Sequence, residues 1–204
     1  MSYWDHPKPV RRARAVHIDD VARASMRLLD EGGMQSLSIR SVAGVLGVAA
    51  ASLYSRVESV DDLYDLALDC AMQGDPVMGE AVISAALSEL MLAYYRHLVR
   101  HPWAVRVIAM RAPRGPHYVR LSDRMVVLLS EEGARDPLGT AYILANYVIG
   151  SATTAAMARS ERDSRVEHAL GPDYARLRAL DPVEPESIMR AGLDVLIAEL
   201  PARP

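Results

Sequence analysis

Three groups of residues have types and spacings that could do chemistry. Arg11, Arg12 and Arg14 place three guanidinium groups within four positions, and Arg40, Tyr54 and Arg56 follow in the next stretch of chain. Guanidinium forks and phenol hydroxyls suit phosphate oxygens and the edge of guanine. His97 and His101 lie four apart, a spacing that puts two imidazoles on one helix face within reach of a metal. No glutamate accompanies them, Pro102 stops the helix there, and the helix dipole accounts for a histidine in a last turn, so no metal is expected. The third group is Met72, Met91, Tyr94, Tyr95, Trp103, Met110, Tyr118, Met125, Asn146 and Tyr147, in a chain with no Phe at all. Such residues at helical spacing are most often core. Their polar or soft tips also suit a mainly apolar small molecule held by a few hydroxyl and amide groups.

Other chemistry has little to build on. There is no Gly-x-Ser-x-Gly elbow and no phosphate-binding loop, and Lys8 is the only lysine. Cys70 is the only cysteine, which leaves no intramolecular disulfide and no cysteine-based zinc site. An enzyme is not expected, and no cofactor is implied. The first residues carry charge without an apolar run behind it, unlike a secretory leader, so a cytoplasmic location is the expectation.

Helices must position these groups. Ile18, Val21, Ala22, Ser25, Leu28 and Leu29 keep the i, i+3, i+4, i+7 rhythm of an amphipathic helix that ends at Gly32-Gly33. Ser38 can cap a short helix through Leu46, a third covers about 49–56, and a fourth runs from Asp61 to about Gln73. Gly74-Asp75-Pro76 breaks the chain and marks a domain boundary. Helical stretches follow near 80–100, 103–111, 116–133, 137–159 and 185–200, while the charged stretch 160–172 reads as a mobile connection. No strand is evident; the class is all-α. Residues 138–158 carry no charge, yet their Thr, Ser, Asn and small residues suit a helix buried in protein or between subunits rather than a membrane span.

Charge is uneven along the chain. The whole carries −3, with eight bases against six acids in residues 1–60 and four acids without a base in 61–74. Positive charge therefore gathers at the N-terminal end, where a nucleic-acid partner would need it.

Residues 36–67 hold two short helices separated by Leu46-Gly47-Val48, a turn suited to a helix-turn-helix. Gly47 can take the left-handed conformation that ends the first helix. Ile39, Val42, Ala43 and Leu46 form its inner face, and Val48, Leu53 and Val57 anchor the second. The second helix is then expected to expose Ala49, Ala50, Ser52, Tyr54 and Arg56 toward a groove.

The pieces Leu28–Gly32, Leu37–Val48, Leu53–Val57 and Asp61–Leu66 together resemble the DNA-binding domain of the tetracycline-repressor family, specifically over about 16–67. Arg100-His101-Pro102-Trp103 and Arg111-Ala112-Pro113 resemble, more loosely, the C-terminal domain of the subgroup nearest the tetracycline repressors. The resemblance implies a flexible basic arm over 1–15, a DNA-binding domain with its connecting helix over 16–73, and an effector-binding and dimerisation domain over 74–204. It places Ser38, Arg40, Ala49, Ala50, Ser52, Tyr54 and Arg56 at the DNA, with Arg11, Arg12 and Arg14 reaching an adjacent minor groove.

Two positions depart from the family pattern. Val60 stands where the family usually has lysine, implying one phosphate contact fewer, and His17 replaces the usual cap of the first helix, leaving Asp19 or Asp20 to cap it. Ile108 falls near where tetracycline repressors use a histidine for the drug's magnesium, which disfavours tetracycline–magnesium as effector. The implied function is a ligand-responsive regulator, expected to be a repressor, that binds a palindromic double-stranded DNA operator. It would act as a homodimer through the helices near 138–158 and 185–200 and release DNA on binding a small molecule. The competing reading keeps the fold but has the sensor act through a protein partner.

Overall fold

The computed structural model describes residues 2–6, 16–161, 169–180 and 184–198. The arginines Arg11, Arg12 and Arg14 lie outside the described residues, as does most of the stretch expected to be a connection. Among the described residues there are eleven α-helices and no strand, the all-α class expected.

The first four helices are α1 (Ile18–Gly32), α2 (Ile39–Leu46), α3 (Ala50–Leu53) and α4 (Val60–Gln73). Helix α1 packs against both α2 and α4 and buries Val21, Ala22, Ala24, Ser25 and Leu29 between them. Its N-terminus corrects an expectation. Neither Asp19 nor Asp20 caps it, since His17 is the N-cap residue without a side-chain cap bond and Asp20 instead pairs with Arg23 at 2.6 Å. The third helix is also shorter than the expected 49–56: regular α-helix stops at Leu53 and the chain continues in turns, with Arg56 N donating to Leu53 O at 2.7 Å.

The remaining helices are α5 (Pro76–Ser84), α6 (Leu87–Arg100), α7 (Pro102–Met110), α8 (Pro116–Glu131), α9 (Pro137–Glu161), α10 (Pro172–Leu180) and α11 (Pro185–Ala198). All but α6 open on proline, whose fixed φ and missing N–H fit the first helical position. Residues 80–100, read as one helix, are two, because Ala85 and Ala86 are extended between α5 and α6. Helix α10 was not expected at all. At the centre lies α9, packed against α6, α8, α11 and α7, with Leu144, Val148, Ala152 and Ala155 buried. Among the described residues, no helix is long and apolar enough to cross a membrane.

Residues 2–6 are not a free arm. Tyr3–Asp5 form a single 3-10 turn packed on α4, and Tyr3 is only 5% exposed.

Candidate functional site

The reader is built locally. Ser38 caps α2 by accepting from Ser41 N at 3.0 Å, and Ser41 Oγ accepts from Ser38 N at 2.9 Å. Gly47, at φ 65° and ψ 29°, ends α2 in the left-handed conformation, and Val48 N donates back to Ala43 O at 3.0 Å. Leu53 and Val57 are fully buried, so the face of α3 that remains turns outward. That face carries Ala49, Ala51, Ser52 and Tyr54, with Ala50 half-buried, and Arg40 of α2 is exposed beside it. Arg56 corrects the sequence reading. It stands three residues after Leu53, on the core side of the winding, and is 5% exposed rather than turned to a groove. Ser38 is half-buried and engaged in its cap.

Behind the reader, α4 has a feature that residue counting hides. Three of the four acids in 61–74 are buried: Asp62, Asp65 and Asp69, spaced three and four apart on one face. Asp62 accepts from Glu58 N at 2.6 Å, holding the chain that leaves the reader, and lies 3.4 Å from His6 Nε2. Asp65 pairs through Oδ1 with Arg111 Nε at 3.0 Å. Asp69 accepts from His117 N at 2.8 Å and meets its Nδ1 at 2.8 Å. Gly115 is required here, because a side chain at that position would collide with Asp69. Arg111 begins the turn between α7 and α8, and His117 lies in the first turn of α8. Two residues of the α7–α8 junction therefore grip two successive acids of α4, in a low-dielectric setting where such pairs hold geometry tightly.

A second polar joint ties α1 to the body. Asp30, near the end of α1, meets His101 Nδ1 at 2.7 Å and accepts from Trp103 Nε1 at 2.6 Å. Nearby, Asp75 caps α5 by accepting from Val77 N and Met78 N, meets His97 Nδ1 at 2.9 Å and pairs with Arg100. Burial alone would raise the Asp75 carboxyl; the His97 hydrogen bond, the Met78 N–H and Arg100 outweigh it and hold it below its ordinary value. Burial lowers the imidazole of His97, opposed by Asp75, so a neutral ring donates to a carboxylate. The two histidines of interest for a metal thus each face an aspartate, and their rings stand 5.0 Å apart. Among the described residues no cluster of three or more metal-ligating side chains forms.

A cavity of about 330 Å³ opens among α6, α7, α8 and α9. Tyr94, Tyr118, Met125 and Asn146, expected at the effector, line it, together with Ile108, Ala112, Pro113, Leu121, Ser122, Val126, Leu138, Ala141, Tyr142, Ala145 and Ile149. Among these lining residues none is charged. Tyr94 and Tyr118 join hydroxyls at 2.9 Å with their rings edge to face, and burial holds both phenols above their ordinary range.

The other candidates lie elsewhere. Met72 and Met91 are buried in the core, and Trp103 is buried with its N–H on Asp30. Met110 is exposed away from the cavity. Tyr95 borders a separate groove with Arg96 and Glu186. Tyr147 donates to the carbonyls of Ile188 and Met189 and packs where any side chain at Gly192 would collide with it. Met91, Tyr95, Trp103, Met110 and Tyr147 sit on helices that border the cavity without lining it, and Met72 sits on α4.

A helix-turn-helix head joined through buried ion pairs to a helical body with an uncharged cavity is the build of a ligand-responsive transcriptional regulator. Residues 75–187 match the family described as "Tetracyclin repressor-like, C-terminal domain". A curated relative from Saccharopolyspora erythraea, an HTH-type transcriptional regulator, is 30% identical over 188 residues, covering 87% of this chain and 77% of its own. Another, the HTH-type transcriptional repressor DrrR1 of Streptomyces coeruleorubidus, is 33% identical over 154 residues, 72% of this chain, which spans 54% of that relative's length. In overall fold the chain matches the TetR family protein ActR of Streptomyces coelicolor, solved in complex with actinorhodin, with a TM-score of 0.70 at 22% identity over 90% of this chain and 95% of that one. The chain belongs to the tetracycline-repressor-like family of transcriptional regulators, which are not enzymes.

Proposed function

We propose that the protein is a repressor that binds a palindromic operator as a homodimer and releases it when a small, mainly apolar molecule enters the cavity. The observation that carries this reading is the reader's surface: Arg40, Ser52 and Tyr54 are exposed together while Leu53 and Val57 beneath them are fully buried. Arg40 is suited to a guanine edge or a phosphate and Tyr54 to a phosphate oxygen. Alanines at 49–51 can meet only thymine methyls or groove shape, so backbone contacts dominate.

Residues 16–73 serve as the DNA-binding domain, residues 74–204 as the effector and dimerisation domain, and Arg11, Arg12 and Arg14 supply added phosphate or minor-groove contacts. Helices α9 and α11 supply the dimer interface. Tyr142, Ile143 and Val195 leave apolar groups uncovered on these helices, and pairing each helix with its symmetry mate buries them. A two-fold dimer then sets two readers about 34 Å apart, one helical turn of DNA.

The cavity suits an effector whose enclosed part is uncharged, since no lining side chain could pair with an enclosed charge. The bound actinorhodin of the ActR structure shows a small molecule accommodated by the same fold. Release follows from the junction of α7 and α8, the turn with the first residues of α8: Ala112, Pro113 and Tyr118 face the cavity, and Arg111 and His117 grip α4. A molecule that moves the turn moves α4 and the reader with it, provided it binds the DNA-incompetent arrangement more tightly.

Fluorescence anisotropy of the purified chain against duplexes from DNA flanking its own coding sequence tests this. Binding at low salt is expected, with Arg40→Ala or Tyr54→Ala weakening it roughly ten-fold and Arg40→Ala, which removes a charge, also lowering the salt slope by about one. Absence of any binding at low salt overturns the repressor and favours a sensor acting through a protein partner.

A further inference from the structure

The chain's first residues occupy a place that composition gives no reason to expect. Ser2 Oγ donates to Asp65 Oδ2 at 2.7 Å and Tyr3 N donates to the same oxygen at 2.8 Å. The other oxygen of that carboxylate pairs with Arg111. Tyr3 is buried, its ring edge-on to Trp4 at 5.3 Å and to His6 at 6.2 Å. Asp5 accepts from Ser2 N at 3.1 Å, which closes the turn, and His6 reaches Asp62. Arg56, Asp62 and Asp19 are the charges that Tyr3 feels, so the ring sits where the end of the reader, α4 and the start of α1 converge. One carboxylate of α4 thus has one oxygen held by the effector-side turn and the other by the N-terminal segment.

We infer that this groove on α4 is a peptide-binding site, filled in cis by residues 2–6, and that its occupation braces the joint between reader and body. The site takes a short segment with a hydroxyl residue ahead of an aromatic one: the hydroxyl and the next backbone N–H satisfy Asp65, and the aromatic ring fills the socket. Surface tails do not bury a tyrosine to 5% exposure or supply both donors of a buried carboxylate oxygen. Residues 7–15 tether the segment to α1, and a tether this short raises its effective concentration to roughly the millimolar range, enough for a five-residue contact.

Hydrogen exchange followed by mass spectrometry on the full chain, on Tyr3→Ala and on the chain lacking residues 1–6 tests the inference. Losing Tyr3 is expected to speed exchange across α4 at least ten-fold while leaving α9 unchanged. The free peptide Ser-Tyr-Trp-Asp-His, added at millimolar concentration, is expected to restore protection of α4 in the shortened chain, and its Tyr-to-Ala version to restore none. Unchanged α4 exchange in Tyr3→Ala, equal acceleration of α4 and α9, or equal rescue by the two peptides overturns the site. A shortened chain that the peptide cannot protect overturns it as well. None of these outcomes depends on whether the protein binds DNA.

Discussion

The two sides of the junction between α7 and α8 follow opposite rules. On the cavity side, Ala112, Pro113 and Tyr118 face a space with no charge on its walls. Across the backbone, Arg111 and His117 hold the buried acids of α4. An uncharged wall can accept varied small molecules, because apolar contact and a few hydroxyls demand little geometry. The buried Asp65–Arg111 pair and the hydrogen bonds of Asp69 demand a great deal of it, since pulling them apart leaves carboxylates out of water without their partners. A loosely selective surface and a tightly specified one, back to back on the eight residues 111–118, convert occupancy into displacement.

The largest effect should fall on the polar side. Asp65→Ala takes from Arg111 its buried partner and from Ser2 Oγ and Tyr3 N their shared acceptor, and is expected to cost about 3 kcal/mol in urea unfolding. Asp61→Ala, in the same helix and facing the same arginine at 3.3 Å, removes an exposed carboxylate and should cost under about 1 kcal/mol. Equal losses would mean that burial of the acid face contributes nothing.

The cavity side should yield less. Tyr94→Phe removes one buried hydroxyl from the pair with Tyr118, and a loss of about 1 kcal/mol in the same measurement is expected. A loss as large as that of Asp65→Ala would erase the contrast between the two sides.

Smallest is a pH effect at the second joint. His97 is held below its ordinary 6.5 in the folded chain, so the unfolded chain takes up its proton first. Its contribution is complete above pH 6.5 and drains as pH falls from there toward the lowered folded value. Asp75, also held low, keeps its contribution until pH drops through the acidic range. Thermal stability should therefore fall as pH drops from 7.5 to 5.5, and His97→Asn, which keeps a donor toward Asp75, should flatten that slope. An unchanged slope in the variant would take the loss away from His97.

The reader was legible because its determinants are close neighbours. Ser38, Gly47, Leu53 and Val57 fix cap, turn and buried face within twenty residues, and helical spacing alone says which side looks out. Arg56 was misread although the same spacing, three from Leu53, already put it inward. The cavity was half legible. Aromatic and sulfur-bearing residues pointed to Tyr94, Tyr118 and Met125, but which face of each helix turns inward depends on four helices whose contacts are distant in sequence. Tyr95, one residue from Tyr94, looks into a different groove. The acid face of α4 was hidden altogether. Four acids among fourteen residues say nothing of burial, because the partners of Asp62, Asp65 and Asp69 stand at residues 2–6, 58, 111 and 117.

The central claim, that filling the cavity moves the reader through α4, can be tested without an effector in hand. Ala145→Trp places an indole where a bound molecule would sit, and a double-mutant cycle with Asp69→Asn, which weakens the grip of His117, isolates the coupling. Measured as duplex affinity by anisotropy, Ala145→Trp is predicted to weaken binding at least ten-fold in the native background and less than two-fold beside Asp69→Asn. The same fold loss in both backgrounds, or no loss in either, would contradict it.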